Sequence, residues 1–117
     1  MALQINKSLN TKDGGTIASG SIVKFQTIFP EDGLTMHFNM SIYRDHSHAT
    51  SKDKIQGGII EIPSMGYVYT LEVIHLTDGT IEYVDYLTLT PEVVHQKLKA
   101  YLESLPGIGV GNVSITL

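Results

Sequence analysis

Apolar and polar residues alternate strictly over residues 34–43, which predicts a strand with one face in the core and one in water. Residues 21–29 carry a matching apolar set and are the expected partner strand. The link between them, Pro-Glu-Asp-Gly at 30–33, is typical of a turn. Closing the turn so that Phe25 lies opposite Phe38 superposes the two apolar faces, and we expect an antiparallel hairpin in that register.

A second hairpin is predicted over residues 67–76 and 81–89, because Thr-Asp-Gly-Thr between them is a strong turn signal. A two-residue turn pairs His75 with Glu82, whereas a three-residue turn with a bulge at Gly79 shifts that pairing. Both faces of this hairpin are mainly apolar. We therefore expect the rest of the domain to cover one face, and a helix or a neighbouring subunit to cover the other.

The tyrosines of the second hairpin occupy positions that are typical of core and interface residues. No basic groove accompanies them, so a platform for stacking nucleic-acid bases is not indicated. We expect an interface with a neighbouring subunit to use Tyr67, Tyr69, Tyr83 and Tyr86.

Four further segments complete the pattern. A helix is predicted over residues 90–105, since Thr90 can cap it, Pro91 suits its first turn and leucines follow at helical spacing. Residues 44–54 are polar apart from Ala49 and should form a mobile loop or a hairpin tip. Residues 55–62 indicate a strand with a kink at Gly57-Gly58, and residues 112–117 indicate the last strand.

The predicted fold class is mainly β: an antiparallel β-sandwich or open barrel with one packed C-terminal helix. The length of 117 residues fits a single β-rich domain, spanning residues 1–117. The absence of cysteine excludes disulfides, thiolate metal sites and a cysteine nucleophile. No apolar run approaches the ~20 residues that span a bilayer, and no signal-peptide pattern begins the chain. We therefore expect no membrane partner, no secretion by signal peptide, and a cytosolic starting point.

Charge is distributed unevenly along the chain. The formal net charge is −4, which argues against sequence-specific nucleic-acid binding. Residues 59–117 hold seven acidic and two basic residues, and neither Lys nor Arg occurs between residues 59 and 96. This stretch predicts an acidic surface that includes Glu72, Glu82 and Asp85. Such a surface either keeps the protein in solution or lines a channel past which a polyanion can slide.

The most ligand-like residues are Asp45, His46 and His48. In an extended chain the two imidazoles point to the same side, and with the carboxylate they could hold Zn²⁺ or Ni²⁺. The alternative is a solvated loop in which the two histidines lie close together by chance, and a loop without fixed ligands favours that alternative. We therefore assign no metal and no cofactor to the chain.

Two carboxylates, Glu72 and Asp85, would face each other in the two-residue-turn register. Like charges opposed across a ladder raise one pKa or attract a cation, and paired carboxylates can perform acid–base chemistry. A shifted register, or side chains directed into water, explains the same pattern without chemistry. No activated nucleophile accompanies the pair, so we expect no enzyme activity and no catalytic residue.

The end of the chain reads Leu102-Glu-Ser-Leu105, then Pro-Gly-Ile-Gly-Val-Gly-Asn, then Val113-Ser-Ile-Thr. Over residues 93–116 it resembles an element of bacteriophage structural proteins and of some large repetitive bacterial surface proteins. In that element a short helix ending in Leu-Glu-x-Leu runs through Pro-Gly-Ile-Gly-x-Gly-Asn into a strand of alternating Val and Thr. The resemblance implies a β-rich virion building block and carries no catalytic residue.

The resemblance and the two-sided hairpin lead to one functional expectation. The chain is expected to be a non-enzymatic virion subunit, of a head–tail connector, tail tube or related ring, whose partners are itself and other virion proteins. The alternative is a stand-alone domain that binds a small ligand, glycan or metal through the loop at 44–54 or through the tyrosine-bearing hairpin.

Overall fold

The computed structural model describes residues 1–28, 35–49, 53–70, 73–75, 77–79, 81–83 and 90–116. Its elements in chain order are β1 (Ala2–Ile5), β2 (Leu9–Asn10), β3 (Thr16–Ile17), β4 (Ser21–Ile28), β5 (Thr35–Tyr43), a 3₁₀ turn (His46–His48), β6 (Gly66–Thr70), β7 (Val73–His75), β8 (Ile81–Tyr83), α1 (Pro91–Ser104) and β9 (Val113–Thr116).

Five of the strands form one antiparallel sheet in the order β6-β5-β4-β1-β9. The first strand therefore lies in the interior of the sheet, with the last strand beside it. Strands β2 and β3 form a small ribbon, and β7 and β8 form a separate two-stranded sheet. The predicted class, mainly β with one C-terminal helix, is confirmed.

One face of the main sheet carries the core. Strand residues with little or no exposure alternate along this face: Leu3, Ile5, Val23, Met36, Phe38, Met40, Ile42 and Val113. The helix, the β2–β3 ribbon and two loops cover them with a second buried set: Leu9, Ile17, Ile59, Ile62, Val94, Leu98, Leu102 and Ile108. The period-two pattern of the strands thus meets the helical stripe of α1 in one hydrophobic cluster.

Helix α1 begins and ends where its sequence predicts. The Thr90 hydroxyl accepts a hydrogen bond from the Val93 amide at 3.3 Å, and Pro91 occupies the first helical position. At the other end the Leu105 amide donates to the Leu102 carbonyl at 3.2 Å, and Pro106 follows. The predicted helix at 90–105 is confirmed as Pro91–Ser104 with its two caps.

The first hairpin forms, but the predicted register is wrong by two residues. Phe25 pairs with Met40, and Thr27 pairs with Phe38. A shift of two residues keeps every side chain on its own face, so hydrophobic patterning cannot distinguish the two registers. Phe25 and Phe38 still meet as diagonal neighbours, edge to face with ring centroids 5.9 Å apart. The predicted turn at 30–33 lies outside the described residues.

The second hairpin adopts the register of the three-residue turn. Val73 pairs with Tyr83 and His75 pairs with Ile81, so the predicted pair of His75 with Glu82 is wrong. Gly79 has a φ of +87°, a left-handed conformation that glycine adopts without strain, and this explains the extra turn residue. The predicted opposition of Glu72 and Asp85 lies outside the described residues.

The predicted strand at 55–62 is wrong. Its described pairing is an isolated bridge between Ile59 and Thr11, and Gly57 has a φ of +86°, which interrupts extended backbone. The segment instead crosses the core face and buries Ile59 and Ile62. Strand β3 was not anticipated, because two residues are too few to show a period.

The chain is elongated. Its Cα radius of gyration is 16.2 Å and its principal extents are 56 × 27 × 23 Å. A compact domain of this length has a radius of gyration of about 13 Å. Within the described part of the chain, no helix has the length and apolar character needed to cross a bilayer.

Candidate functional site

The predicted ligand residues lie in a 3₁₀ turn capped by Asp45. Its Oδ1 accepts hydrogen bonds from the His48 amide at 3.0 Å, from His48 Nδ1 at 2.7 Å and from the Ser47 hydroxyl at 2.7 Å. The extended geometry expected to direct His46 and His48 to the same side is wrong, because this cap curls the backbone.

The electrostatics of the turn follow from those hydrogen bonds. The Ser47 hydroxyl and then the His48 ring and amide lower the pKa of Asp45 to about 2. Both side chains of the Asp45–His48 pair are about half exposed to solvent. Over the residues that the structure describes, no three His, Asp or Glu side chains come together as a metal site. The carboxylate acts here as a cap for the turn.

Two of the predicted interface tyrosines contact helix α1 of the same chain. The Tyr67 ring stacks on Tyr101 with centroids 4.2 Å apart. The Tyr69 hydroxyl accepts a hydrogen bond from Lys97 Nζ at 3.0 Å, and the same ammonium lies 4.3 Å from the Tyr69 ring centroid. The expectation that a helix covers one face of the tyrosine-bearing hairpin therefore holds for β6, and the contact combines ring stacking with a cation–π interaction.

The same helix also contacts β4, through His95. Its ring lies 4.6 Å from the Phe25 ring, and its Nδ1 donates to the Pro91 carbonyl at 2.6 Å. For Tyr83 and Glu82 the structure describes the strand β8 and its register. Tyr86, Glu72 and Asp85 lie outside the described residues, so the acidic surface remains a prediction.

The C-terminal element, residues 103–116, consists of the end of α1, a glycine-rich loop and β9. The Glu103 carboxylate accepts a hydrogen bond from the Gly111 amide, and Asn112 Nδ2 donates to the Ile108 carbonyl at 2.7 Å. Gly109 and Gly111 both have positive φ, +83° and +88°. Each of these residues therefore has a structural role in fixing the loop.

The loop buries one apolar side chain and displays another. Ile108 is 1% exposed and joins the core, whereas Val110 is 88% exposed. Because hydrogen bonds fix the loop on both sides of Val110, this valine is held outward in the loop that precedes β9.

Sequence reasoning missed Glu61, which joins two distant segments of the chain and lies against the start of this loop. The Glu61 carboxylate accepts hydrogen bonds from the Asn10 amide at 2.9 Å and from Asn10 Nδ2 at 2.7 Å. Partial burial raises its pKa, but the Asn10 hydrogen bonds outweigh that effect and the pKa is lowered. A Cβ on Gly107 would lie 2.9 Å from the Glu61 Cβ, so only glycine lets the loop approach this closely.

The exposed side of the element is the outer edge of β9. On its inner side β9 pairs with β1, from Ala2 opposite Thr116 to Ile5 opposite Val113. On its outer side no further strand pairs with it among the described residues. Comparisons of the chain with protein-family models, with curated proteins and with solved structures found no match.

Proposed function

We propose that the chain is a non-enzymatic structural subunit of a bacteriophage virion, of the head–tail connector, tail tube or related ring type. It acts by assembling with copies of itself and with other virion proteins. The observation that carries the proposal is the C-terminal element, which resembles an element of virion proteins. Its polar side chains Glu103 and Asn112 hold the loop, and the loop presents Val110 to solvent.

The separate hairpin sheet supports assembly on energetic grounds. Strands β7 and β8 pair only with each other in the described part of the chain. A lone two-stranded sheet is marginally stable in water, and contact with a neighbouring subunit stabilises it. The elongated shape also favours assembly, because it leaves more surface exposed to solvent than a compact domain of equal length does.

The acidic stretch suits the inner wall of a conduit for DNA. Without Lys or Arg between residues 59 and 96, the wall offers no cation to a passing phosphate backbone. Reversal of Glu72, Glu82 and Asp85 to lysine should hinder DNA delivery by assembled particles. If assembly and delivery are both unchanged, the conduit part of the proposal is wrong.

Light scattering across a concentration series tests the assembly itself, with Zn²⁺, with a chelator and with neither. We expect a discrete multimer, or one that grows with concentration, whose mass is indifferent to metal. Negative-stain images should then show rings or tubes. A monomer at every concentration contradicts the proposal. A mass or thermal stability that responds to metal instead supports a binding domain that uses His46 and His48, and Asp45→Asn should abolish that response.

A further inference from the structure

The direction of the peptide groups along β9 can be worked out from its pairing with β1. The Asn6 amide donates to the Asn112 carbonyl at 2.7 Å, in the register that continues as Gln4–Ser114. In an antiparallel ladder, hydrogen-bonded pairs alternate with non-hydrogen-bonded pairs. Residues 112, 114 and 116 therefore direct their peptide groups to β1. The peptide groups of Val113 and Ile115 point outward, away from the sheet.

Apart from its length of four residues, the described edge lacks the features by which proteins usually protect an open strand. Many exposed edges carry a charged side chain, a proline or a bulge that blocks pairing with another strand. Strand β9, Val-Ser-Ile-Thr, has neither charge nor proline, and its pairing with β1 is regular over all four residues. No charged residue occurs anywhere in residues 104–116. Val110, 88% exposed, lies just before the strand.

We propose that β9 pairs antiparallel with β9 of a second copy of the chain, about a two-fold axis at Ser114. In this register Val113 lies opposite Ile115 of the second copy, and the reverse pair follows by symmetry. Their outward peptide groups then form four backbone hydrogen bonds between the copies. Val113 and Ile115 share the core face, so the contact joins β-branched side chains across the junction.

Charge and self-complementarity both favour a second copy of the chain as the partner of β9. A two-fold contact places each group beside its own copy, so any charge on the strand would face a like charge nearby. The chain carries −4 in total, whereas residues 104–116 are neutral. The carboxylate nearest to them, Glu103, is held by the Gly111 amide and lies 3.9 Å from Lys99 Nζ, so two copies can approach along β9 itself without facing like charges. A neutral edge of peptide groups and β-branched side chains offers nothing to recognise a charged ligand.

This inference rests on the proposed self-assembly and names one contact within it. A two-fold contact closes on itself, so it makes pairs of subunits and does not by itself generate a ring. A ring requires a second, head-to-tail contact elsewhere on the chain. Loss of the β9 contact therefore changes how rings or subunits are paired, and leaves the ring contact intact.

Cysteine cross-linking tests the register, and the chain contains no cysteine of its own. In the proposed pairing the two copies of residue 114 face each other directly, with Cβ atoms about 4.5–5.5 Å apart. Ser114→Cys should therefore form a disulfide-linked dimer under mild oxidation. Thr116→Cys is the matched control, because its two copies lie about 13 Å apart along the strands. We expect cross-linking of S114C to be at least tenfold faster, and equal rates overturn the proposal.

A proline substitution tests the hydrogen bonds. The amide of Ile115 points outward, so Ile115→Pro removes a donor that the ladder with β1 does not use. Ser114→Lys places two like charges opposite each other in the proposed register, whereas Ile60→Lys adds a charge at an exposed apolar residue outside β9. We expect I115P and S114K to weaken the pair at least tenfold in dissociation constant, and I60K to leave it unchanged.

The outcomes separate the two proposals. If the wild type assembles, but S114C cross-links no faster than T116C and S114K has no effect, the β9 contact is wrong and assembly stands. If S114K separates paired rings or paired subunits while circular dichroism stays native, the β9 contact is supported. If the wild type stays monomeric at every concentration and S114C does not cross-link, both proposals fail.

Discussion

A buried hydroxyl in the main sheet gives a quantitative test of the core. Ser21 begins β4 opposite Ile5 and is 0% exposed. Its Oγ is the buried side-chain oxygen that lacks a hydrogen-bond partner among the residues the structure describes. Folding removes this hydroxyl from water without replacing its hydrogen bonds, and that destabilises the native state.

Ser21→Ala should therefore stabilise the protein. A buried polar group without a partner costs about 1–3 kcal/mol, and alanine keeps the Cβ while removing the oxygen. Loss of the oxygen's packing contacts offsets part of the gain, so we expect the free energy of unfolding to rise by about 1 kcal/mol. For a domain of this length, that corresponds to an increase of about 4 °C in the melting temperature.

Urea unfolding followed by far-ultraviolet circular dichroism measures the change, at a protein concentration where the chain is monomeric. The slope of the free energy of unfolding against urea concentration should be the same in both proteins. A shift of the unfolding midpoint then measures the change in stability directly. Ser114→Ala is the matched control: its hydroxyl is partly exposed and accepts a hydrogen bond from Asn6 at 3.2 Å, so stability should change by less than about 0.5 kcal/mol. A destabilised S21A would refute the reasoning, because it would mean that the Ser21 hydroxyl is satisfied in solution.

Three further predictions concern the Glu61 carboxylate, the Asp45 cap and the backbone of Gly109. Glu61→Gln should destabilise the protein by about 1–2 kcal/mol at neutral pH, since it weakens charge-assisted hydrogen bonds from Asn10. Because folding lowers the pKa of Glu61, its contribution is present above the unfolded-state pKa and is lost as the pH falls through the folded-state value. Urea unfolding of both proteins from pH 7 to pH 3 should therefore show the difference shrinking. Asp45 should titrate near pH 2 by NMR, so the capped turn should persist well below pH 4, and a pKa near 3.8 would contradict the cap. Gly109→Ala should destabilise the protein by about 1 kcal/mol or more because φ is +83°, whereas Val110→Ala beside it should be nearly neutral in thermal unfolding.

Local signals in the sequence were sufficient for the helix and for the faces of the strands. Thr90, Pro91 and the leucine spacing act within a few residues of one another, and the helix forms where they place it. The first hairpin puts the predicted side chains in the core for a similar reason, since alternation is a property of one strand at a time.

The parts that the sequence did not reveal depend on contacts between distant segments. Glu61 and Asn10 are 51 residues apart, and nothing near either residue indicates that one binds the other. The β2–β3 ribbon is too short to show a period. The registers of the two hairpins could not be predicted for two different reasons. In the first hairpin a two-residue shift leaves every side chain on the same face of the sheet. In the second hairpin the register depends on the backbone conformation of Gly79.

The pairing of the first strand with the last has a consequence for folding kinetics. Strand β1 lies between β4 and β9, and Ala2 is opposite Thr116, 114 residues away along the chain. Closing so long a loop is entropically costly, and contacts of this separation slow folding. During synthesis β1 can pair with β4 early, but its other edge stays open until the ribosome has released residues 113–116. That edge therefore lacks its partner strand for most of synthesis, and translation rate should affect the yield of folded protein.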